Sequence, residues 1–255
     1  MNAPVSRVAR SFGAAEDYHA RAIVQRTVAG RLAESLFSLP MPRPERILEI
    51  GCGSGFLGQE LIDHWPESRY LFSDLSPAMV ARSRACLPPA PGRRHFVAMD
   101  GEAPAVASGF ELIVSSMAFQ WFSRPQNSLK GLAELLRPGG RLAFASLGPE
   151  TFHEWRRACA AANLPCGTPD YPDIGQWRDW WPGPGRFHEE TLTRNYPSGL
   201  DFLRDLKAVG AHTARADYHP QAAGELRRLL RSLDRGGDFA ISYHLQYAIL
   251  TRASP

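Results

Sequence analysis

A glycine-rich loop lies between a short apolar run and a helical pattern, and it limits the folds that this chain can adopt. Ile47 to Ile50 forms the apolar run, three glycines fall within residues 51–55, and Leu57, Leu61 and Ile62 then recur on one helical face. Glycine permits tight turns and lets a ligand approach the backbone closely. We therefore predict a strand, a ligand-binding loop and a helix, which together form the first unit of an α/β fold.

The same alternation of strand and helix patterns continues along the chain. Further strand candidates are residues 70–73, 95–99, 111–115, 141–145 and 187–196, with helical patterns before and between the earlier ones. This order favours a doubly wound, mainly parallel α/β sheet. Residues 241–249 alternate apolar with polar side chains, which predicts an antiparallel strand at or near a sheet edge.

The chain of 255 residues fits one main domain. Within it we expect a helical leader (1–40), a cofactor-binding core (41–146), a helix followed by a Pro-, Gly- and Trp-rich excursion (147–185), and C-terminal strands (186–255) that carry a helical cap insertion (198–236). The excursion is predicted to be mostly irregular and to form part of a pocket rim. The cap is predicted from helical patterns at about residues 200–209 and 222–233.

Composition excludes several classes of protein. No apolar run is long enough to span a bilayer and the N-terminus lacks a secretory pattern, so we expect a cytoplasmic protein. A net charge of +3 is too small for a typical nucleic-acid binder, but it is compatible with an acidic partner. The four cysteines have no paired or metal-ligand spacing, which predicts reduced thiols and no metal site.

Acidic residues follow three successive predicted strands. Glu49 ends the first strand, Asp74 ends the second, and Asp100-Gly101-Glu102 follows the third. A carboxylate at Asp74 can accept hydrogen bonds from ribose hydroxyls, and Asp100 can accept from an adenine amino group. Any one of these acids can instead serve as a cap for a loop or helix. Together they predict a nucleoside cofactor.

Two cofactors compete for this loop. Residues 53–58 satisfy G-x-G-x-x-G, which is the pattern of a nicotinamide dinucleotide site. Glu49, directly before the glycines, suits a cationic methionine amino group and suits a pyrophosphate poorly. The combination favours S-adenosylmethionine over NAD.

The chain resembles the class I methyltransferases in residues 49–55, 74–77, 100–102 and 136–140, which follow that family's order. The resemblance implies a Rossmann-like, seven-stranded sheet with an N-terminal helix and a helical cap before the last strand. It also implies S-adenosylmethionine as cofactor, bound by Tyr18, Glu49, Gly51, Gly53, Gly55, Asp74, Leu75, Asp100, Gly101, Glu102 and Ser116.

Outside the core, the chain resembles the malonyl-[acyl-carrier protein] O-methyltransferases of biotin synthesis. The similar stretches are residues 11–15 with Tyr18, 115–121, 206–211 and 243–245. Ser116 is a departure, because that family often has Asn there. The resemblance implies methylation of a malonyl carboxylate on acyl-carrier protein. We expect no catalytic side chain, only positioning, because a carboxylate with a pKa of about 4 is ionised at neutral pH and needs no general base.

The substrate contacts implied by this resemblance have simpler alternatives. The residues are Tyr18, Gln120, Trp121, Arg204 and Lys207. Tyr18 and Trp121 can instead be packing aromatics, and Arg204 and Lys207 can be solvated charges. The functional alternatives are methylation of a free small carboxylic acid, as in trans-aconitate methylation, and a silent S-adenosylmethionine-binding module.

An arginine stripe suggests a surface for the carrier. Leucines occupy the other side of the same predicted helix, at positions 226, 229, 230 and 233. The acidic nature of acyl-carrier proteins makes the stripe a candidate docking surface, and a solvated helix face is the alternative. Its members are Arg227, Arg228, Arg231 and Arg235.

Overall fold

The computed structural model describes residues 3–14, 18–211, 218, 222–233 and 239–253. Before the sheet come helices α1 (Ala3–Gly13), α2 (Tyr18–Arg21) and α3 (Ile23–Phe37). The core elements follow in the order β1 (Arg46–Ile50), α4 (Phe56–His64), β2 (Arg69–Asp74), α5 (Pro77–Cys86), β3 (Arg94–Ala98), β4 (Phe110–Ser116), a 3₁₀ turn (Phe119–Trp121), α6 (Pro125–Leu135) and β5 (Leu136–Leu147). The remaining elements are α7 (His153–Ala161), α8 (Ile174–Trp180), β6 (Gly185–Tyr196), α9 (Gly199–Ala208), α10 (Ala223–Leu233) and β7 (Phe239–Thr251).

The strands form the predicted doubly wound sheet. Their order is β3-β2-β1-β4-β5-β7-β6, and β1 through β5 pair in parallel. The chain winds outward in one direction through β2 and β3 and in the other through β4 and β5. The two directions meet between β1 and β4, where the carboxyl ends of the strands leave a crevice suited to a ligand.

The last strand has the predicted direction. The Gly139 amide donates to the Arg252 carbonyl and the Arg252 amide donates to the Gly140 carbonyl, which is an antiparallel exchange. β7 lies between β5 and β6, so it is one strand in from the edge. Both of its faces are covered: polar Gln246 is only 1% exposed, because it hydrogen-bonds Trp177 and Glu189.

The Trp-rich stretch differs from the prediction. It contains helix α8, whose start is a capping box: the Asp173 side chain accepts from the Gln176 amide at 2.8 Å, and the Gln176 side chain accepts from the Asp173 amide at 3.0 Å. The reciprocal bonds satisfy backbone donors that a helix start otherwise leaves unpaired. Trp177 is fully buried in the core instead of lying on a rim.

Ser76 is the N-cap residue of α5 with Pro77 first in the helix, but the Ser76 side chain makes no capping bond. Its backbone amide instead donates to the Asp74 carboxylate. The leader carries helix α1 and the short helix α2 ahead of helix α3, which ends at Phe37.

The chain divides into two compact units by its internal contacts. The larger comprises residues 22–146, 173–189 and 246–255, and the smaller comprises residues 1–21, 147–172 and 190–245. The larger unit contains a continuous apolar core in which residues of β1, β4 and β5 pack with Phe119, Trp177 and Trp181. In the described part of the chain, no helix is both long and apolar enough to cross a membrane.

Candidate active site

The glycine loop after β1 adopts a conformation that requires glycine. Gly51, Gly53 and Gly55 all have positive φ, at 71°, 53° and 91°. A Cβ on Gly51 would lie 2.5 Å from the Ala118 Cβ, and a Cβ on Gly55 would lie 2.9 Å from the Leu87 side chain. The loop is therefore pressed against the segment after β4 as well as turned sharply into α4. Side chains would cause backbone strain at all three positions, and at Gly51 and Gly55 they would also lack space.

Asp74, at the end of β2, is hydrogen-bonded to this loop. Its Oδ2 accepts from the Gly53 amide at 3.0 Å and its Oδ1 accepts from the Ser76 amide at 2.8 Å. Burial raises the pKa of Asp74, and these backbone hydrogen bonds oppose that rise. Each carboxylate oxygen has a second lone pair, so the carboxylate can still accept from two hydroxyl groups.

Glu49 is the most unusual group in the larger unit. It is 2% exposed, and its Oε2 has no hydrogen-bond partner among the described residues. Burial raises the pKa of Glu49 well above its usual value, and the nearby Asp74 carboxylate raises it further. An unsatisfied buried carboxyl is costly, and such groups concentrate at functional sites. The site therefore has an acceptor prepared for a cation or a donor.

Gly58 lets the first turn of α4 approach Glu49. A Cβ there would lie 3.0 Å from the Glu49 Oε2 and 2.8 Å from the Phe72 ring. Gly58 is the last glycine of the G-x-G-x-x-G pattern, so the sequence pattern already marked this position. Its structural use is to admit a buried carboxylate beside the helix, and a pyrophosphate contact is not needed to explain it.

The two acidic residues in the turn after β3 have different roles. Asp100 is exposed, and its Oδ1 accepts from the Glu102 amide at 2.9 Å. Glu102 accepts from the Ser123 and Arg124 amides and from the Ser123 hydroxyl, so this carboxylate anchors the start of α6. Gly101 is buried, and a Cβ there would lie 2.4 Å from the Ile50 side chain. The turn thus packs directly on the end of β1.

The segment after β4 contributes two further polar groups, the Ser116 hydroxyl and the Gln120 side chain. Ser116 ends β4, and its hydroxyl is buried without a hydrogen-bond partner in the described chain. Met117 has a φ of 58°, an uncommon value for a residue with a side chain. Its amide donates to the Ala145 carbonyl at 2.9 Å, and its carbonyl accepts from the Gln120 Nε2 at 2.8 Å.

This bond fixes the direction of the Gln120 amide. A carbonyl oxygen only accepts, so the nitrogen of the amide must face Met117 and the oxygen must face away. That Oε1 is buried and has no partner among the described residues. Trp121, next in the 3₁₀ turn, is half-buried. The role of Met117 was not predictable, because no local pattern marks a positive φ at a methionine.

Three of the predicted site residues, Tyr18, Arg204 and Lys207, belong to the smaller unit. Tyr18 is 7% exposed and its ring meets the Phe12 ring edge-on at 6.1 Å. Arg204 and Lys207 are exposed on α9, and Arg204 pairs with Asp201 at 3.3 Å. No cluster of three or more metal-ligating side chains occurs among the residues that the structure describes.

Comparison with known proteins identifies the family of this chain. A family model described as a methyltransferase domain matches residues 48–142. The malonyl-[acyl-carrier protein] O-methyltransferase of Magnetococcus marinus is 46% identical over 251 residues, covering 97% of this chain and 93% of that protein. The chain belongs to the malonyl-[acyl-carrier protein] O-methyltransferase family. This membership confirms the predicted family and methyltransferase class.

Further matches agree with this membership. The biotin biosynthesis bifunctional protein of Bordetella avium is 41% identical over 246 residues, and the match covers 96% of this chain and 52% of that longer protein. Among solved structures, the N-methyltransferase NodS of Bradyrhizobium japonicum, in complex with S-adenosyl-L-homocysteine, aligns with a TM-score of 0.54 at 15% identity, covering 98% of each chain. At that identity the likeness concerns the fold, and it agrees with the Rossmann-like methyltransferase architecture.

Proposed function

We propose that this protein transfers a methyl group from S-adenosylmethionine to the free carboxylate of a malonyl thioester on acyl-carrier protein, in the cytoplasm, for biotin synthesis. The observation that carries the proposal is the 46% identity, over nearly the whole of both chains, to a malonyl-[acyl-carrier protein] O-methyltransferase. The geometry of the crevice between β1 and β4 independently supports the choice of S-adenosylmethionine as methyl donor.

The chemistry of the donor set fits S-adenosylmethionine. The unpartnered Glu49 carboxyl suits the ammonium group of the methionine part, and the remaining lone pairs of Asp74 suit two ribose hydroxyls. Asp100 is exposed after β3 and suits the adenine amino group. A pyrophosphate would bring negative charge toward the buried Glu49, which disfavours NAD.

The reaction asks the protein for positioning. When bound, S-adenosylmethionine supplies a methyl group on a sulfonium that is already a good leaving group. A carboxylate acceptor with a pKa of about 4 is already ionised and needs no base. The work left to the chain is to hold both reactants in line and to exclude water, which suits a crevice lined by rigid strand ends.

We assign the Gln120 Oε1 the role of accepting a hydrogen bond from a donor group on one of the reactants. Because its amide nitrogen is held by the Met117 carbonyl, the free Oε1 can only accept. An amide N–H of the phosphopantetheine arm fits this oxygen, and the second N–H of Nε2, which the Met117 carbonyl does not accept, suits an acceptor such as the malonyl carboxylate. Substrate contact remains a prediction for Tyr18, Trp121, Arg204 and Lys207. For Arg204 the prediction is weakened by the exposed ion pair that its side chain forms with Asp201.

Replacing Gln120 tests this assignment. We expect Gln120→Met to lower kcat/KM with the malonyl carrier substrate about 5-fold to 50-fold, because one buried hydrogen bond to the reactant is lost. Gln126→Met is the matched control, since Gln126 is exposed at the start of α6. Steady-state kinetics measure both. Equal kcat/KM in the two variants would contradict the assignment.

Helix α10 is the proposed docking surface for the carrier. Arg227, Arg228 and Arg231 are exposed, while Leu229 and Leu230 are buried, as the pattern predicted. Arg235 lies outside the described residues. Beside the arginines, a groove runs between α7 and α10, with Ala158, Ala161, Ala162 and Leu164 on one side and Glu225, Arg228, Leu229 and Leu233 on the other. A basic rim next to an apolar floor suits an acidic amphipathic helix.

Charge reversal tests the docking surface. We expect Arg228→Glu combined with Arg231→Glu to raise the KM for malonyl-acyl-carrier protein several-fold at low salt and to leave S-adenosylmethionine affinity unchanged. Activity on malonyl-CoA, if present, is expected to change less. Arg43→Glu with Arg69→Glu is the matched control, because both residues are exposed in the larger unit. Equal losses on carrier and CoA substrates would argue against docking at α10.

Turnover of methyl-labelled S-adenosylmethionine tests the proposed function itself. The protein is offered malonyl-acyl-carrier protein, malonyl-CoA and free dicarboxylic acids in parallel. We expect base-labile label, which marks a methyl ester, on the malonyl carrier substrate. Label on a free acid alone would favour a trans-aconitate-like enzyme, and binding without turnover on any acceptor would favour a silent module.

A further inference from the structure

Two cysteines meet at the end of helix α7. Cys159 is in the last turn of the helix, and Asn163 follows it in a left-handed conformation with a φ of 53°. The Leu164 amide then donates to the Cys159 carbonyl at 2.9 Å, which closes the helix and reverses the chain. Pro165 cannot continue a helix. The reversal brings Cys166 back to α7, close enough to Cys159 for each thiol to influence the ionisation of the other.

Arg156 holds the segment that follows α7 in this position. It lies one turn before Cys159 on α7, so both side chains share a helix face. Its Nη2 donates to the Pro169 carbonyl at 2.7 Å, its Nε donates to the Thr151 carbonyl at 3.2 Å, and it lies 3.8 Å from the Asp170 carboxylate. The segment that carries Cys166 is thereby tied to the helix that carries Cys159.

The surroundings of Cys166 favour its thiolate. Its sulfur lies 3.3 Å from the Thr168 hydroxyl. Hydrogen bonds from the Cys159 thiol and from the hydroxyl and amide of Thr168, with the charge of Arg156, lower the pKa of Cys166 to about 5 against the opposing effect of burial. The pKa of Cys159 is raised, chiefly because its thiol donates to Cys166. Deprotonation is therefore easier at Cys166 than at Cys159.

We propose that Cys166 is a site of thiol oxidation by hydrogen peroxide and that Cys159 resolves it into a reversible disulfide. The Cys166 thiolate attacks one peroxide oxygen; the O–O bond breaks, hydroxide leaves, and Cys166 becomes a sulfenic acid. The Cys159 sulfur then attacks the Cys166 sulfur; the S–S bond forms, the S–O bond breaks, and the Cys159 proton leaves with the hydroxide as water. Two thiols are oxidised and one peroxide is reduced to two waters. A dithiol reductant reverses the change.

The burial of the two sulfurs agrees with these roles. Cys166 is partly exposed, so peroxide can reach it, whereas Cys159 is 1% exposed and can only meet a sulfur already beside it. Cys52 differs in both respects, because it is buried in the glycine loop, where desolvation and the Glu49 and Asp74 carboxylates raise its pKa. Cys86 is exposed on α5 and supplies an internal control.

Alkylation of the native protein tests the thiolate. At pH 6 we expect Cys166 to react with iodoacetamide roughly 5-fold to 10-fold faster than an ordinary thiol, because its larger thiolate fraction outweighs its lower nucleophilicity. Its rate is expected to fall below pH 6 with a midpoint near 5. Peptide mapping compares it with Cys86 in the same sample. A Cys166 rate at or below that of Cys86 would overturn the proposal.

Peroxide treatment tests the disulfide. We expect the intact mass to fall by two hydrogen atoms, the new cross-link to join the peptides of Cys159 and Cys166, and dithiothreitol to restore both thiols. Cys159→Ser should leave Cys166 free to oxidise further to the sulfinic acid. Cys86→Ser is the control and should still form the cross-link. If Cys166 is alkylated fast but no cross-link forms, the proposed disulfide is wrong. If Cys166→Ser still gives the wild-type yield of cross-linked protein, Cys166 is not the site of oxidation.

Discussion

Glu49→Gln is expected to weaken S-adenosylmethionine binding by about 10-fold to 150-fold, which corresponds to roughly 1.5 to 3 kcal/mol for a charged hydrogen bond. The substitution keeps the shape of the side chain and removes its charge. The carboxyl is 2% exposed and its Oε2 has no partner among the described residues, so the ligand is the available source of a donor. Isothermal titration calorimetry measures the change directly.

The pH dependence of binding distinguishes a charge effect from a packing effect. Because burial and Asp74 hold the pKa of Glu49 well above its usual value, the free protein protonates this carboxyl at a higher pH than an exposed glutamate. A cationic ligand prefers the ionised form, so its affinity should increase as the pH rises through that pKa and a proton should be released on binding. Glu49→Gln should remove this part of the pH dependence.

Stability should change in the opposite direction. A carboxyl whose pKa is raised by folding binds its proton more tightly in the folded state, so the free energy of unfolding decreases as the pH rises from the unfolded pKa, about 4.3, through the folded one. Glu49→Gln avoids this loss, and the ligand-free variant should be the more stable protein above that range. Urea unfolding across a pH series measures the difference.

Glu45→Gln is the matched control for both measurements. Glu45 is exposed and lies just before β1, so removing its charge should change neither affinity nor stability by more than a few tenths of a kcal/mol. Unchanged S-adenosylmethionine affinity in Glu49→Gln would mean that this carboxyl serves only the loop. In that case its unsatisfied oxygen would have no functional explanation.

The cofactor residues were predictable because topology fixes where strands end. Parallel strands place their carboxyl ends at one edge of a sheet, so acids after successive strands fall near each other even when far apart in sequence. Asp74 illustrates this: it is bonded to Gly53, 21 residues earlier. Glu102 could not be assigned the same way, since its carboxylate is taken by Ser123 and Arg124, and side-chain direction in a turn leaves no sequence pattern.

The strand pattern and the Trp-rich stretch show a similar contrast. The period-two alternation of β7 predicted its conformation and direction, because pleating places alternate side chains on opposite faces. It could not show that Gln246 would be buried, since that depends on a partner, Trp177, 69 residues away. In residues 165–185, prolines and glycines obscured a helix of only seven residues, which lacks the length to show periodicity.

Trp177 carries the second large prediction, because it links this short helix to the core. It is fully buried, its ring lies 5.0 Å from that of Phe144 and 5.8 Å from that of Phe119, and its Nε1 donates to the Gln246 Oε1 at 2.9 Å. We expect Trp177→Ala to lower the free energy of unfolding by about 3 to 5 kcal/mol, from lost burial and the cavity that remains.

The same substitution should also reduce catalysis. Phe119 begins the 3₁₀ turn that carries Gln120, and its ring packs against those of Phe144 and Trp177. With the indole removed, Phe119 gains room to move, and the amide held by Met117 loses part of its support. Because a displacement of about 1 Å at a positioning residue is enough to slow a reaction, we expect kcat to fall even under conditions where the variant is folded.

Two further variants separate the causes. Trp177→Phe retains an aromatic ring but not the N–H that Gln246 accepts, so it should cost about 1 to 3 kcal/mol and should fold if the alanine variant does not. Trp180→Ala is the matched control, since Trp180 lies three residues later on α8 and is only partly buried. Urea unfolding and kcat are measured on all three. If Trp180→Ala is as destabilising as Trp177→Ala, burial of Trp177 is not what joins α8 to the sheet.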